Sequence, residues 1–179
     1  MSRLHFVTAR AVFDAFPTAS EDIVAAPTDQ PPLDYIRALV AGPTPDDALA
    51  FCAYVMPRRA TVWWAIQSLR ALLDKPTPDD NAVLQAAEDW VRAPDEPKRN
   101  ALLKIGMEAD VKRPVTWVAR AAGWSGGSLV PDNDQCAHAP PHLTAVAART
   151  AINVALVGNP NRVAEIARCA DRCIQFAES

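Results

Sequence analysis

A chain of 179 residues has the size of one ordinary domain, and a globular chain of this length buries roughly two-thirds of its extended surface, so one core suffices. A formal charge of −3 and a pI near 5.6 argue against a dedicated nucleic-acid binder, which carries a basic stripe, and no apolar run approaches the roughly 20 residues that span a bilayer. Thirty-four alanines and 16 prolines against 6 glycines describe helices with hard stops between them.

Taken in chain order, Thr8 offers a cap for a short helix ending at Phe16-Pro17, and Thr18 to Pro31 has the composition of a connector. Pro32 opens a helix through Tyr35, Ile36, Leu39 and Val40. Thr44-Pro45-Asp46-Asp47 combines a capping hydroxyl, a proline at the first helical position and two acids at the positive helix end; Thr77-Pro78-Asp79-Asp80 repeats it 33 residues later. From the first start, Ala48, Phe51, Cys52 and Val55 recur at helical spacing as far as Pro57. A helix from Arg58 to Leu73 follows, carrying Val62, Trp63, Ile66 and Leu69, and the short Pro57 connection predicts an antiparallel hairpin.

A second hairpin is expected from Pro78–Arg92, with Val83, Ala87, Trp90 and Val91 inward, and Glu96–Met107, with Leu102, Leu103 and Ile105. Pro114 opens a helix to Ala122, and residues 123–141 are irregular. Two helices follow, Leu143–Val157, apolar on nearly all sides as a central helix is, and one after Asn159-Pro160 with Val163, Ile166, Cys169, Ala170, Cys173 and Ala177 as one stripe. The expected fold is all-α. About eight helices form antiparallel helical hairpins in a single domain over 1–179, and a degenerate repeat-like stack is one arrangement compatible with them. Its parts are an N-terminal arm and connector (1–31), hairpins (32–122), an irregular loop (123–141) and a C-terminal helix pair (142–179). Net charge alternates along the hairpins, acidic in 76–97 and basic in 58–75 and 98–120, which predicts ion pairs between neighbouring helices.

Chemistry-bearing patterns are sparse. Gly123-Trp124-Ser125-Gly126-Gly127 matches the spacing of a nucleophile elbow, and Asp132, Asp134, His138 and His142 follow, but the elbow needs a strand before the serine where this chain has a helix. Asp134, Cys136, His138 and His142 are the one ligand-rich cluster; they lack the paired ligands on rigid turns of a structural zinc site, and no metal or cofactor is expected. Cys169 and Cys173, four apart on one helix, are expected as buried thiols rather than a redox pair. The first residues lack a secretory leader, so the four cysteines are expected reduced in a cytoplasmic setting. Trp63 and Trp64 point about 100° apart on a helix and cannot share one core face, so Trp64 is expected to face a partner. Arg58 and Arg59, at a helix start where the dipole disfavours cations, are unusual enough to suggest an acidic group of this chain or of a partner.

The runs Ala48-Leu49-Ala50-Phe51-Cys52-Ala53-Tyr54, Pro57-Arg58-Arg59 with Val62-Trp63-Trp64-Ala65, Ala121-Ala122-Gly123-Trp124-Ser125-Gly126-Gly127-Ser128 and Pro140-Pro141-His142-Leu143-Thr144 resemble an uncharacterised family of small all-helical bacterial proteins. Members of that family often sit near type VI secretion genes, and the resemblance supplies no catalytic residues. It implies a non-enzymatic protein-interaction module, an adaptor or accessory chaperone for type VI secretion, with a secretion effector or spike component as partner. The surface expected to make contact is Arg58, Arg59, Trp64, Trp124, Ser125, Gly126, Gly127 and His142. A hydrolase or metal-dependent enzyme using the Gly123–Pro141 loop, and a structural subunit of a bacterial complex, are the alternatives.

Overall fold

Helix-forming composition and capping residues produce ten helices among the residues described by a computed structural model, which covers 4–133, 135 and 137–179. They are α1 (Ala9–Ala15), α2 (Ala19–Asp22), α3 (Pro32–Ala41), α4 (Asp46–Val55), α5 (Arg58–Leu72), α6 (Pro78–Arg92), α7 (Glu96–Glu108), α8 (Pro114–Gly123), α9 (Leu143–Ala155) and α10 (Arg162–Glu178). Strands are absent among the described residues, apart from one isolated antiparallel bridge between Ser128 and His138. No helix is long and apolar enough to cross a membrane. The all-α expectation holds, with the short α2 as an element the periodicity did not show.

The chain folds as two compact units, Met1–Pro57 with Gly158–Ser179, and Arg58–Val157. Pro57 ends the first stretch of the first unit and Gly158 begins its second. Within the first unit α10 packs on α3 and α4; within the second α9 packs on α5 and α8.

In the first unit α4 is the central helix, with every residue from Asp47 to Val55 buried. Phe51 lies 4.8 Å from Tyr35 of α3 at 70° and 6.2 Å from Phe13 of α1, while Phe13 and Tyr35 meet edge to face at 6.3 Å. Thr44 does not cap α4. Its hydroxyl donates to Asp47 Oδ2 (2.8 Å), which also accepts the Ala25 amide (2.9 Å), so this carboxylate fastens the connector and a turn starting at Pro45 replaces the expected cap. The connector is further held by Tyr35 Oη, which donates to the Ala25 and Ala26 carbonyls, and by the Ala9 and Arg10 amides bonded to Gln30 and Thr28 carbonyls. Along α10 the buried stripe is Ile166, Cys169, Ala170, Cys173, Ile174 and Ala177; it starts one turn later than the periodicity predicts, and Val163 is 59% exposed on the first turn.

In the second unit α8 packs on α7 and α9, α5 on α6 and α9, around Val62, Ile66, Leu69, Leu84, Leu102 and Val118 with alanines of α8 and α9. Two glycines set the spacing of α7 and α8: a Cβ at Gly106 would stand 2.8 Å from the Arg120 backbone nitrogen, and one at Gly123 would stand 2.7 Å from the Leu103 Cα. Thr77 does what its sequence predicts, accepting the Asp80 amide while Asp80 accepts the Thr77 amide, with Pro78 in the first turn. Neighbouring charges pair as expected, Arg70 with Glu88 at 2.5 Å and Arg113 with Asp80 at 2.7 Å. Trp64 corrects an expectation: it is 2% exposed and belongs to the core, and Trp63 takes the half-buried position.

Candidate functional site

The irregular segment between α8 and α9 is strapped to the second unit by polar side chains that the sequence left unassigned. Arg99, on the second turn of α7, is 4% exposed. Its Nε and Nη2 form a fork on Glu96, at 2.7 and 2.5 Å, and its Nη1 donates to the Gly123 carbonyl and, at 3.5 Å, to that of Ser128. The next residue, Asn100, donates to Asp132 Oδ1 at 2.5 Å and accepts the Asp132 amide at 3.0 Å, and one turn further along Lys104 Nζ donates to Asp132 Oδ2 at 2.8 Å. Asp132 adopts a left-handed backbone (φ 54°), a conformation aspartate tolerates better than most residues and which these bonds hold in place. From α5, Arg58 Nη1 donates to the Ser125 carbonyl at 3.0 Å.

Within the segment the backbone folds on itself. The Leu129 amide donates to the Ala137 carbonyl (2.9 Å) and the Ala139 amide to that of Gly127 (3.0 Å). Ser128 Oγ shares its proton between the Val130 and Asn133 carbonyls and accepts the Val130 amide. Gly127 has φ +64°, and a Cβ there would stand 2.8 Å from the Arg99 guanidinium, so glycine is required for the chain to pass over the arginine. At Gly126 an added Cβ would meet nothing within 4 Å. Trp124 lies half-buried beside this turn, its Nε1 donating to Leu129, and the Arg120 guanidinium sits 4.6 Å from the Trp117 ring and 5.8 Å from that of Trp124.

Electrostatics follow these contacts. Hydrogen bonds from Arg99 hold the Glu96 carboxyl below the usual range against a smaller opposing effect of burial. Lys104 and Asn100 do the same for Asp132, and Asp132 in turn raises Lys104. Two open depressions share Glu96 and Arg99 in their lining. One, of about 370 Å³, is lined by polar groups including Asn100, Ser128, Asp132 and Asn133; the other, of about 300 Å³, is lined by Trp90, Asp95, Ser125, Gly126 and Gly127 among others.

The residues singled out from sequence have the following places. Arg59 is occupied within the chain: its Nε and Nη2 donate to the Val91 and Arg92 carbonyls, satisfying the carbonyl end of α6, where a cation is favoured. Arg58, Trp124, Ser125, Gly126 and Gly127 gather at the strapped turn, and Trp64 does not join them. His142 fills the N-cap slot of α9 without capping its amides. Ser125 Oγ donates to the Ala122 carbonyl at 2.6 Å, and among the described residues it bonds no histidine or carboxylate; it finishes α8 instead of following a strand. Of the metal-ligand pattern, Asp134 and Cys136 lie outside the described residues, within which no group of three His, Cys, Asp or Glu side chains converges. Arg99, Asn100 and Lys104 escaped the sequence reading because Lys98-Arg99-Asn100 looks like an ordinary solvated helix face; the one local signal was Glu96 three residues before Arg99.

A family model described as a family of unknown function (DUF6931) matches residues 35–177. No curated protein and no solved structure matches the chain.

Proposed function

The chain belongs to this family of unknown function, and from that premise we propose that it is a non-enzymatic protein-interaction module whose docking surface is the strapped turn Trp124–Gly127 with the two depressions beside it. One observation carries the reading: Arg58, Arg99, Asn100 and Lys104 tie residues 123–132 down by directional hydrogen bonds while Gly126 faces open space. A surface ordered before binding loses less conformational entropy on association, which favours recognition of a folded or extended protein partner. The sequence resemblance supports placing that partner in a type VI secretion apparatus, with this chain as an adaptor or accessory chaperone for an effector or spike component.

Gly126→Trp separates the surface from the fold, because its Cβ enters free space and its ring fills the turn's depression. Proximity labelling in the native cell with the wild-type chain is expected to mark a secretion component, and Gly126→Trp is expected to lose it with an unchanged melting temperature. Recovery of the same partner by both proteins would overturn the surface. Recovery of no secretion component would overturn the pathway. Covalent capture of Ser125 in the folded protein by a fluorophosphonate would favour the hydrolase alternative.

A further inference from the structure

The face of α8 that runs into the strapped turn carries Trp117, Arg120 and Trp124 at helical spacing, and all three residues are half-buried. Each indole is fixed by its own nitrogen: Trp117 Nε1 donates to the Val111 carbonyl at 2.8 Å, and Trp124 Nε1 to that of Leu129 at 3.3 Å. The guanidinium of Arg120 lies within cation–π distance of both rings. Its Nε donates to the Gly106 carbonyl at 2.6 Å, and only a glycine leaves room for its stem, since a Cβ at Gly106 would stand 2.7 Å from Arg120 Cγ.

Charge sets Arg120 apart from its neighbours. Arg70, Arg99 and Arg113 of the same unit pair with Glu88, Glu96 and Asp80. Among the described residues Arg120 pairs with no carboxylate, and its Nη1 and Nη2, without a hydrogen-bond partner there, still reach solvent. A guanidinium stacked on an indole keeps its in-plane N–H groups free, in the fork that a carboxylate accepts bidentately. The surround is apolar: Val111, whose carbonyl takes the Trp117 proton, Met107, next to Gly106, and Val130, next to Leu129, are all exposed. Tryptophan, arginine and methionine are the residues that concentrate at the centre of protein interfaces.

We propose that Trp117, Arg120 and Trp124 receive an acidic side chain of the protein partner, a glutamate or aspartate flanked by apolar residues; this names the partner's chemistry for the docking surface that includes Trp124, and rests on that reading. The carboxylate takes the free Nη1 and Nη2 of Arg120, while its apolar neighbours cover the indoles and the exposed Met107 and Val111. Rings and guanidinium are held in place before binding, so little side-chain entropy is lost on association.

The test follows the indole Nε1–H resonances of the full-length protein as an acetylated, amidated peptide alternating leucine and glutamate is added, and then its counterpart with glutamine in place of glutamate. Expected are saturable shifts of Trp117 and Trp124 with Trp63 and Trp64 unmoved, and an affinity about tenfold lower for the glutamine peptide, the factor that one charge-assisted contact supplies. Arg120→Met should bring the glutamate peptide down to the affinity of the glutamine one. The comparison of the two peptides uses the wild-type chain, so it decides the matter even where Arg120→Met folds poorly. No saturable shift with the glutamate peptide, equal affinity for both peptides, or a stronger response to a single-stranded oligothymidylate would each overturn the proposal. Should Gly126→Trp lose the native partner alongside such a failure, the docking surface stands and only its carboxylate chemistry falls; glutamate-selective binding at Arg120 with the partner retained by Gly126→Trp would do the reverse.

Discussion

The aromatic cluster of the first unit and the strapped turn of the second are ordered by opposite means. Phe13, Tyr35 and Phe51 are held chiefly by burial, which is non-directional and spread over many atoms, with edge-to-face ring contacts adding a geometric preference. The turn is held by a few directional bonds from Arg58, Arg99, Asn100 and Lys104, mostly to backbone carbonyls and one carboxylate. Burial of the first kind tolerates no cavity but asks little of geometry. Bonds of the second kind fix a conformation while leaving the surface wet and polar, as a docking site requires.

The comparison breaks most visibly at Phe51, which is fully buried: Phe51→Ala should cost about 3–5 kcal/mol in denaturant titration, since it leaves a cavity in a cluster with no way to collapse. Arg99→Met should cost less, about 2 kcal/mol, because it strands the Gly123 and Ser128 carbonyls while Glu96 remains free to be solvated. Its signature should be local, with amide exchange in residues 123–133 rising while the α8–α9 core stays protected. The two adjacent glycines sharpen the contrast further. Gly127→Ala should cost about 1–3 kcal/mol from its left-handed backbone and its collision with Arg99, whereas Gly126→Ala should stay within about 0.5 kcal/mol.

The smallest expected effect is in pH. Glu96 has its folded pKa lowered by Arg99, so its contribution is present above the unfolded value of about 4.3 and is lost as pH falls through the folded one. Melting temperatures of wild type and Glu96→Gln should therefore differ near neutral pH and converge only as pH falls below the ordinary carboxylate range. A difference that widens on acidification would mean that Glu96 does not act through its charge.

How legible these regions were from sequence follows from the same contrast. The aromatic cluster sits on apolar spacings that periodicity reveals, and Thr77-Pro78 with Asp80 announced a helix start because all of its partners lie within four residues. Thr44-Pro45 carries the same letters and behaves differently, because Asp47 is committed to the Ala25 amide 22 residues away. The division at Pro57 was hidden for a similar reason: α10 chooses α3 and α4 as partners, and Arg37 meets Glu178 at a separation of 141 residues, which no local pattern encodes. Trp63 and Trp64 show the limit of helical periodicity. It correctly says that they cannot share a face, and only packing says which of them is inside. The sequence marks residues 123–141 as irregular, and only the packing shows Arg99 beneath Gly127, where a Cβ would collide with the guanidinium.

A docking surface of this kind requires the turn to be fixed before any partner arrives, and amide hydrogen exchange of the free protein tests this most directly. The Leu129 and Ala139 amides, bonded to Ala137 and Gly127 carbonyls, should exchange far more slowly than an unstructured peptide in the wild type and lose that protection in Arg99→Met. Exchange of both amides at the unstructured rate in the wild type would contradict it.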